Sequence, residues 1–245
     1  KDGRIIGKGY HTRYGQLHAE REAFKNAAER GEETAGADLY VTLEPCCHTG
    51  KQPPCTEAVL ASGVKRVIVG CTDPNPVVAG RGIRLLREKG LEVVAGVLRG
   101  ECERQNEVFF HFMRTKLPFT VLKYAMTLDG KTATVSGKSQ WITGEAARKR
   151  VHEDRGRYIL TGVSTVLADN PQLTCRIPGG KNPIRVIADT KLRTPLSSTV
   201  VQTARETPTW IVTAVSDAGR KEAYEDAGCR VLSVPAKEGE LDLQA

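Results

Sequence analysis

No stretch of the 245 residues approaches the ~18 to 20 consecutive apolar residues of a membrane span, and the opening Lys1-Asp2-Gly3-Arg4 is too charged for a signal peptide. Neither a membrane protein nor a secretory leader is expected. The seven cysteines are odd in number and scattered through a chain rich in Lys and Glu, so a complete disulfide framework is not expected. Thiol or metal chemistry in a reducing compartment, the cytoplasm, fits them better. Aromatic residues make up only 5%, and there is no internal repeat, low-complexity tract or collagen-like period. The net charge of +7 is spread evenly over the two halves of the chain rather than gathered in a basic arm. That argues against nucleic acid and suits a small anionic substrate such as a phosphate, or simply a solvated surface with a basic bias. What remains, 40% hydrophobic and 27% charged, describes a globular chain of one or two domains that buries roughly 70 to 75% of its unfolded surface.

Strand and helix patterns alternate along the chain. Gly3 to Tyr10 reads as the second strand of a hairpin whose first strand is absent, and Leu17 to Arg30 as a helix with Ala19, Ala23, Ala27 and Ala28 on one face. Strands are expected at 39–43, 64–69 and 91–97, with helices at 56–61, 84–89 and 101–114 between and after them. Leu117-Pro118 interrupts this pattern, which places a domain boundary there and divides the chain into 1–116 and 117–245. In the second part, strands are expected at 119–124, 158–161, 185–188, 210–213 and 230–234, with helices at 145–154 and 217–227. Leu241 to Ala245 reads as the entrance to another helix, so a chain truncated at both ends is expected. The alternation predicts α/β sheets layered with helices.

The chemistry is concentrated in His18-Ala19-Glu20 at the start of the first helix, Pro45-Cys46 after a strand, and Pro54-Cys55 at the start of the second helix. His18, Cys46 and Cys55 make three zinc ligands, which leaves the fourth tetrahedral position open for a water whose pKa the metal lowers to about 7. One Zn²⁺ per chain is expected. Glu20, two residues from His18, can approach the same pocket and carry a proton from that water to a departing amino group. A purely structural zinc site would have no use for Glu20 and would call for a fourth ligand such as Cys47 or His48. His48 is expected at the pocket rim, and His11 and His111 as ordinary surface or core residues. Cys71, Cys102, Cys175 and Cys229 are expected as small buried hydrophobes.

The familiar zinc-deaminase signature pairs H-x-E with P-C-x-x-C, but here the second part is stretched to eight residues between the cysteines. With Val41-Thr42-Leu43-Glu44-Pro45-Cys46, Pro53-Pro54-Cys55, Asp73-Pro74-Asn75-Pro76 and Gly80-Arg81-Gly82, the first part resembles the deaminase domain of the bifunctional riboflavin-biosynthesis deaminase/reductases. Leu128-Asp129-Gly130-Lys131, Ser139-Gln140-Trp141-Ile142-Thr143, the run from Gly162 to Pro171 and Leu173-Thr174-Cys175-Arg176 resemble the reductase domain of the same family. The resemblance implies a three-layer α/β/α cytidine-deaminase-like domain followed by a dihydrofolate-reductase-like α/β domain. It implies zinc-dependent deamination of a diaminopyrimidinone ribosylamino phosphate, then NADPH-dependent reduction of its ribosyl group to a ribityl chain. It also implies a homo-oligomer with no nucleic-acid or membrane partner. Carried over by position, Ala125, Trp141, Thr165, Asp169 and Thr190 would contact NADP, and Ser139, Arg155, Leu173 and Arg176 the substrate. Between Arg155 and Ile159 the chain is about two residues shorter than the family pattern. Without the resemblance, Trp141 reads as a core aromatic and Asp169-Asn170-Pro171 as a turn. Two alternatives stand beside this reading: a deaminase of the tRNA-adenosine type, and a non-catalytic fragment stabilised by zinc.

Overall fold

The computed structural model describes residues 1–242. Its chain divides into two compact units, Lys1–Leu122 and Lys123–Ala245, the second described as far as Asp242.

The first unit is built on a three-stranded parallel sheet, β1 (Asp38–Leu43), β2 (Arg66–Cys71) and β3 (Glu92–Ala95), in the order β1-β2-β3. Its register aligns Leu39 with Val67 and Val93, and Val41 with Val69 and Ala95, so one face carries an apolar ladder. Against that face pack Val59 of α2 (Cys55–Ala61) and Ile83 and Leu86 of α3 (Arg81–Glu88), all buried. The opposite parity of β2 faces α4 (Arg99–Gln105). There Gly70 leaves room for Cys102, and a Cβ in its place would sit 2.3 Å from that sulfur. Helices therefore cover both faces, giving the expected α/β/α layering. Parallel strands need such crossover helices, which explains why β2 is buried along almost its whole length.

Two expectations for this unit change, and a third at its border with the second unit. Residues 3–10 form no strand: Gly3 and Arg4 belong to a turn, and residues 5–10 run along α1 (Ala19–Glu29), with the Lys8 N–H on Asn26 Oδ1 and the Arg30 guanidinium on the Ile6 carbonyl. Gly7 and Gly9 permit this approach, since a Cβ at Gly9 would lie 2.4 Å from the Ala23 nitrogen. The apolar pattern of the segment reports burial against a helix rather than pairing in a ladder. The single helix expected over 101–114 is two helices, α4 and α5 (Glu107–Thr115), because Asn106 leaves helical geometry (φ −105°, ψ 15°) and its side-chain amide bonds the Cys102 carbonyl. The strand expected at 119–124 is also absent, and residues 117–144 run without helix or strand.

The second unit has a four-stranded parallel sheet in sequential order, β4 (Tyr158–Gly162), β5 (Ile184–Ala188), β6 (Thr209–Thr213) and β7 (Arg230–Ser233). It follows α6 (Glu145–Glu153), and its crossovers carry α7 (Val163–Asp169), α8 (Thr199–Gln202) and α9 (Ala218–Asp226). All three crossover helices pack on one face, where Val163, Val166, Val200, Val201 and Tyr224 close over Ile187 and Ile211. The sequence pattern does not predict α7 and α8, because both are short and α7 begins directly on the strand before it. Leu241 pairs in an antiparallel hairpin, β8 (Ala236–Lys237) with β9 (Glu240–Leu241), rather than opening a helix. Its two-residue turn, Glu238 (φ 53°) and Gly239 (φ 83°), has both residues left-handed, as tight hairpins prefer. The expected helix entrance otherwise falls on Leu243 to Ala245, outside the described residues.

Candidate metal centre and cofactor cleft

His18 is the N-cap of α1, and its carbonyl receives the Glu22 N–H while its ring projects beyond the helix end. Cys46 leaves the loop after β1, and Cys55 opens α2. The fold brings the three together: His18 Nδ1 stands 3.5 Å from Cys46 Sγ and 3.4 Å from Cys55 Sγ, and all three donor atoms lie within 4.8 Å of one another. Tetrahedral zinc with Zn–S near 2.3 Å and Zn–N near 2.05 Å requires N···S separations of about 3.6 Å. One imidazole and two thiols at that spacing fit the ion, and among the described residues this is the one group of three or more His, Cys, Asp or Glu placed to hold a metal.

The local bonding keeps the sulfurs in place. The Cys55 N–H donates to Cys46 Sγ (3.3 Å), and the Thr56 N–H donates to the Cys46 carbonyl (3.1 Å), so the start of α2 grips the Cys46 arm. Within the thiol pair, the hydrogen bond from the Cys55 side chain holds Cys46 below the usual thiol range, with the Cys55 N–H and His18 helping. The same bond, together with burial and the nearby Glu20, pushes Cys55 up. Glu20, in the first turn of α1, is 7% exposed; burial pushes its carboxyl up, and it reaches Cys55 while sensing Cys46 and His18. Arg21 reaches the Pro54 carbonyl at 2.8 Å and so ties α1 to the start of α2.

Further groups gather here: His48, expected at the pocket rim, and His11 and Asp73, which residue spacing does not single out. The His11 ring meets the His18 ring edge-on at 5.3 Å. His48 has a buried Nδ1 without a hydrogen-bond partner among the described residues. Asp73 is buried, its carboxyl is pushed up by desolvation, and the charges of Glu44, Cys46 and His48 bear on it. A lone histidine or aspartate has no periodicity, so the only signal in the sequence is the position of Asp73 just beyond a strand's C-terminal end, where open α/β sheets bind ligands. Of the cysteines expected as buried hydrophobes, Cys71, Cys102 and Cys229 are buried, whereas Cys175 is half-exposed with its thiol toward the His152 carbonyl.

In the second unit, a cleft of about 510 Å³ opens at the C-terminal ends of β4 and β5. Thr190 lines it with Ser164, Lys191 and Arg193, and the Thr190 hydroxyl meets Glu240 of the terminal hairpin at 3.4 Å. Thr165 lies half-buried on α7 and Asp169 at its exposed end. Ala125, Ser139 and Trp141 fall in the 117–144 stretch, outside the cleft lining, and Trp141 is stacked under the Arg148 guanidinium at 4.4 Å. Arg155 donates to the Thr174 carbonyl, and burial, then the neighbouring Arg176 charge, lowers its pKa. Leu173, with φ at 55°, packs against the apolar cluster under the sheet. Arg155, Leu173 and Arg176 thus share one loop neighbourhood, and Arg155 lines a second cavity of about 490 Å³ with Arg157 and Ile184 at the N-terminal ends of β4 and β5, the opposite end of these strands from the Thr190 cleft.

Residues 1–71 match the family model of the cytidine and deoxycytidylate deaminase zinc-binding region, and residues 118–244 match that of the RibD C-terminal domain. The chain belongs to the RibD family. Similar proteins named riboflavin biosynthesis protein RibD include those of Actinobacillus pleuropneumoniae (49% identical, 100% of this chain and 65% of that protein) and Bacillus amyloliquefaciens (50%, 96% and 63%). A third, from Escherichia coli K12, is 42% identical over 99% of this chain and 68% of its own length. The structure of a diaminohydroxyphosphoribosylaminopyrimidine deaminase/5-amino-6-(5-phosphoribosylamino)uracil reductase from Thermotoga maritima matches with a TM-score of 0.82 at 41% identity, over 96% of this chain and 72% of that one. The chain therefore spans 63 to 65% of the length of the first two RibD relatives. A deaminase-type zinc region followed by a RibD C-terminal domain accounts for the two successive α/β units. Among the described residues, no helix is long and apolar enough to cross a membrane.

Proposed function

We propose that this RibD-family chain catalyses two consecutive steps of riboflavin biosynthesis. Residues 1–116 hydrolyse the 2-amino group of 2,5-diamino-6-(5-phosphoribosylamino)pyrimidin-4-one, and residues 117–245 carry the NADPH-dependent reduction of the ribosyl group that gives 5-amino-6-(5-phosphoribitylamino)uracil. The observation that carries the first step is the juxtaposition of the His18, Cys46 and Cys55 donor atoms with the buried Glu20 carboxyl. His18, Cys46 and Cys55 would hold Zn²⁺, which supplies Lewis acidity at neutral pH when bound. Glu20 is the catalytic residue: its carboxyl takes a proton from the attacking water and delivers it to the amino group, which departs as ammonia. Burial suits it to both halves of that transfer, because a carboxyl raised from its ordinary pKa holds a proton more readily near neutrality.

For the second step, Thr190 with Thr165, Asp169, Ala125 and Trp141 forms the NADP contact set, and Ser139, Arg155, Leu173 and Arg176 the substrate set. The cleft beside Thr190 at the strand C-termini supports the cofactor assignment. The adjacent guanidinium groups of Arg155 and Arg176 support an anionic substrate group, because a planar fork donates bidentately to phosphate. The protein acts in the cytoplasm as a homo-oligomer, without nucleic-acid or membrane partners. The test is ammonia release from the diaminopyrimidinone substrate, with zinc content measured on the same sample and NADPH oxidation followed afterwards. Ammonia with about one zinc per chain followed by NADPH consumption is expected. Bound zinc with no ammonia, in this chain and in a version extended at both ends, would overturn the deaminase reading.

A further inference from the structure

Glu44 follows β1 directly, two residues before Cys46, and is 3% exposed, yet its carboxylate takes no part in the hydrogen bonds of the sulfur cluster. It is taken up by three backbone N–H groups. Oε2 accepts from Asp73 (3.2 Å) and Gly80 (2.8 Å), and Oε1 accepts from Ile83 (3.1 Å). Its own N–H donates to the Cys71 carbonyl at 2.9 Å. These amides belong to the loop after β2 and to the first turn of α3, whose N-cap is Gly80, a residue with no side chain to cap it. A carboxylate from beyond a different strand does the capping. Gly82 brings α3 onto the same arm: a Cβ there would lie 2.1 Å from the Pro45 carbonyl oxygen. The loop this anchors carries Asp73, whose carboxyl senses Cys46 and His48, and leads into Arg81 at the start of α3, whose charge bears on Cys47.

We infer that Glu44 is a positioning residue that locks the Cys46 arm and the 73–80 loop into one rigid wall of the deaminase pocket, and so sets zinc affinity and pyrimidine binding without touching the reacting atoms. The chemistry of the residue type supports this. A carboxylate is acceptor-only and can satisfy three N–H donors, and its charge complements a helix N-terminus. The isosteric amide cannot: in Glu44→Gln one oxygen becomes an NH₂ that must face a buried N–H, which leaves a donor unpaired. The arm would keep the Glu44 N–H bond to Cys71 and the grip of the Cys55 and Thr56 amides but lose part of its tie to the 73–80 loop and α3.

The pocket half of this inference rests on the deaminase reading, whereas the zinc half does not. The experiment measures zinc affinity of the full chain by chelator competition in the wild type, Glu44→Gln and Gly82→Ala, with circular dichroism to establish folding. Steady-state ammonia release is followed in parallel. In Glu44→Gln, zinc binding is expected to weaken about 10- to 100-fold, as for other residues that orient metal ligands, and KM to rise with kcat little changed. Gly82→Ala keeps the carboxylate but lifts α3 off Pro45, and is expected to show the same pattern. If the wild type binds zinc but releases no ammonia, the deaminase reading fails and the zinc affinities alone decide on Glu44. A folded Glu44→Gln or Gly82→Ala protein with wild-type zinc affinity overturns the inference. So does a loss of kcat at unchanged KM and zinc affinity, which would make Glu44 a participant in the chemistry.

Discussion

Glu20 and Cys55 meet across the junction of two helix starts: the Glu20 carboxyl in the first turn of α1 interacts with the thiol that opens α2. The contact places a proton-carrying group beside, and not among, the three donor atoms. On these grounds Glu20→Gln should keep the zinc and lose about 10²- to 10⁴-fold in the rate of ammonia release. Zinc analysis and turnover on the same preparation check both parts. An unchanged rate with full zinc would remove Glu20 from the chemistry.

Metal removal should act on stability as well as on activity. A ligand that binds only the folded state stabilises it by about 2.7 kcal/mol at a concentration one hundred times its Kd. Chelation should therefore lower the melting temperature of the first unit, and added Zn²⁺ should restore it. Cys55→Ser should show the low value with or without zinc in a thermal scan.

The thiols should divide into classes by their surroundings. Burial pushes Cys71 and Cys229 up to about 11, so both stay protonated and slow to alkylate at pH 8, whereas half-exposed Cys47 and Cys175 should label first. Cys46 and Cys55 should label only after chelation. Because the folded-state values of Cys71 and Cys229 lie above the ordinary 9.0, their stabilising contribution is complete below about pH 9 and is lost as pH rises towards 11. Mass spectrometry of alkylated peptides and denaturation midpoints across pH 8 to 11 test this. Rapid labelling of Cys229 in the folded protein would contradict the burial argument.

Arg185 is fully buried on β5, and its guanidinium donates to the Gln172, Val200, Thr203 and Thr207 carbonyls and to the Thr203 hydroxyl. It joins the 172–173 loop to α8 and the turn that precedes β6. Arg185→Met would strand those acceptors, at a cost on the order of 3 kcal/mol. Arg185→Lys, with three donors, should recover part of it. Urea denaturation followed by the near-ultraviolet signal of Trp210 measures the difference, and equal stability of Met and wild type would refute the assignment.

Gly70 has the opposite sensitivity. A Cβ at this position would meet the Cys102 sulfur at 2.3 Å and the Thr42 carbonyl oxygen at 2.8 Å, so Gly70→Ala forces α4 away from the sheet. Overpacking of this kind costs about 1 to 3 kcal/mol. Cys102→Ala should relieve much of it in the double variant, a coupling that denaturant melts of the four proteins would reveal.

Much of the local structure is legible in residue order. Helices α1, α2, α3, α6 and α9 and strands β1, β2 and β4 to β7 fall within a few residues of where periodicity and Gly stops predict them, because those signals act over one or two turns. Where the pattern misleads, a contact outside its reach decides the outcome. The 3–10 segment alternates like a strand but spends its apolar side on α1, and α5 separates from α4 because Asn106 bonds back to Cys102.

His18, Glu20, Cys46 and Cys55 are recognisable from sequence because zinc chemistry restricts the donor types, and helix starts and strand ends restrict where they stand. Their separations, the pairing of Glu20 with Cys55, the approach of His11, His48 and Asp73, and the capping of α3 by Glu44 are decided only when β1, β2 and three helix N-termini converge at one end of the sheet. Those groups lie 28 to 39 residues apart where their hydrogen bonds are formed, as in His18 to Cys46 or Glu44 to Ile83. No short-range pattern encodes such a distance: residue type determines which chemistry is available, and packing of the parallel sheet determines which of those residues share it.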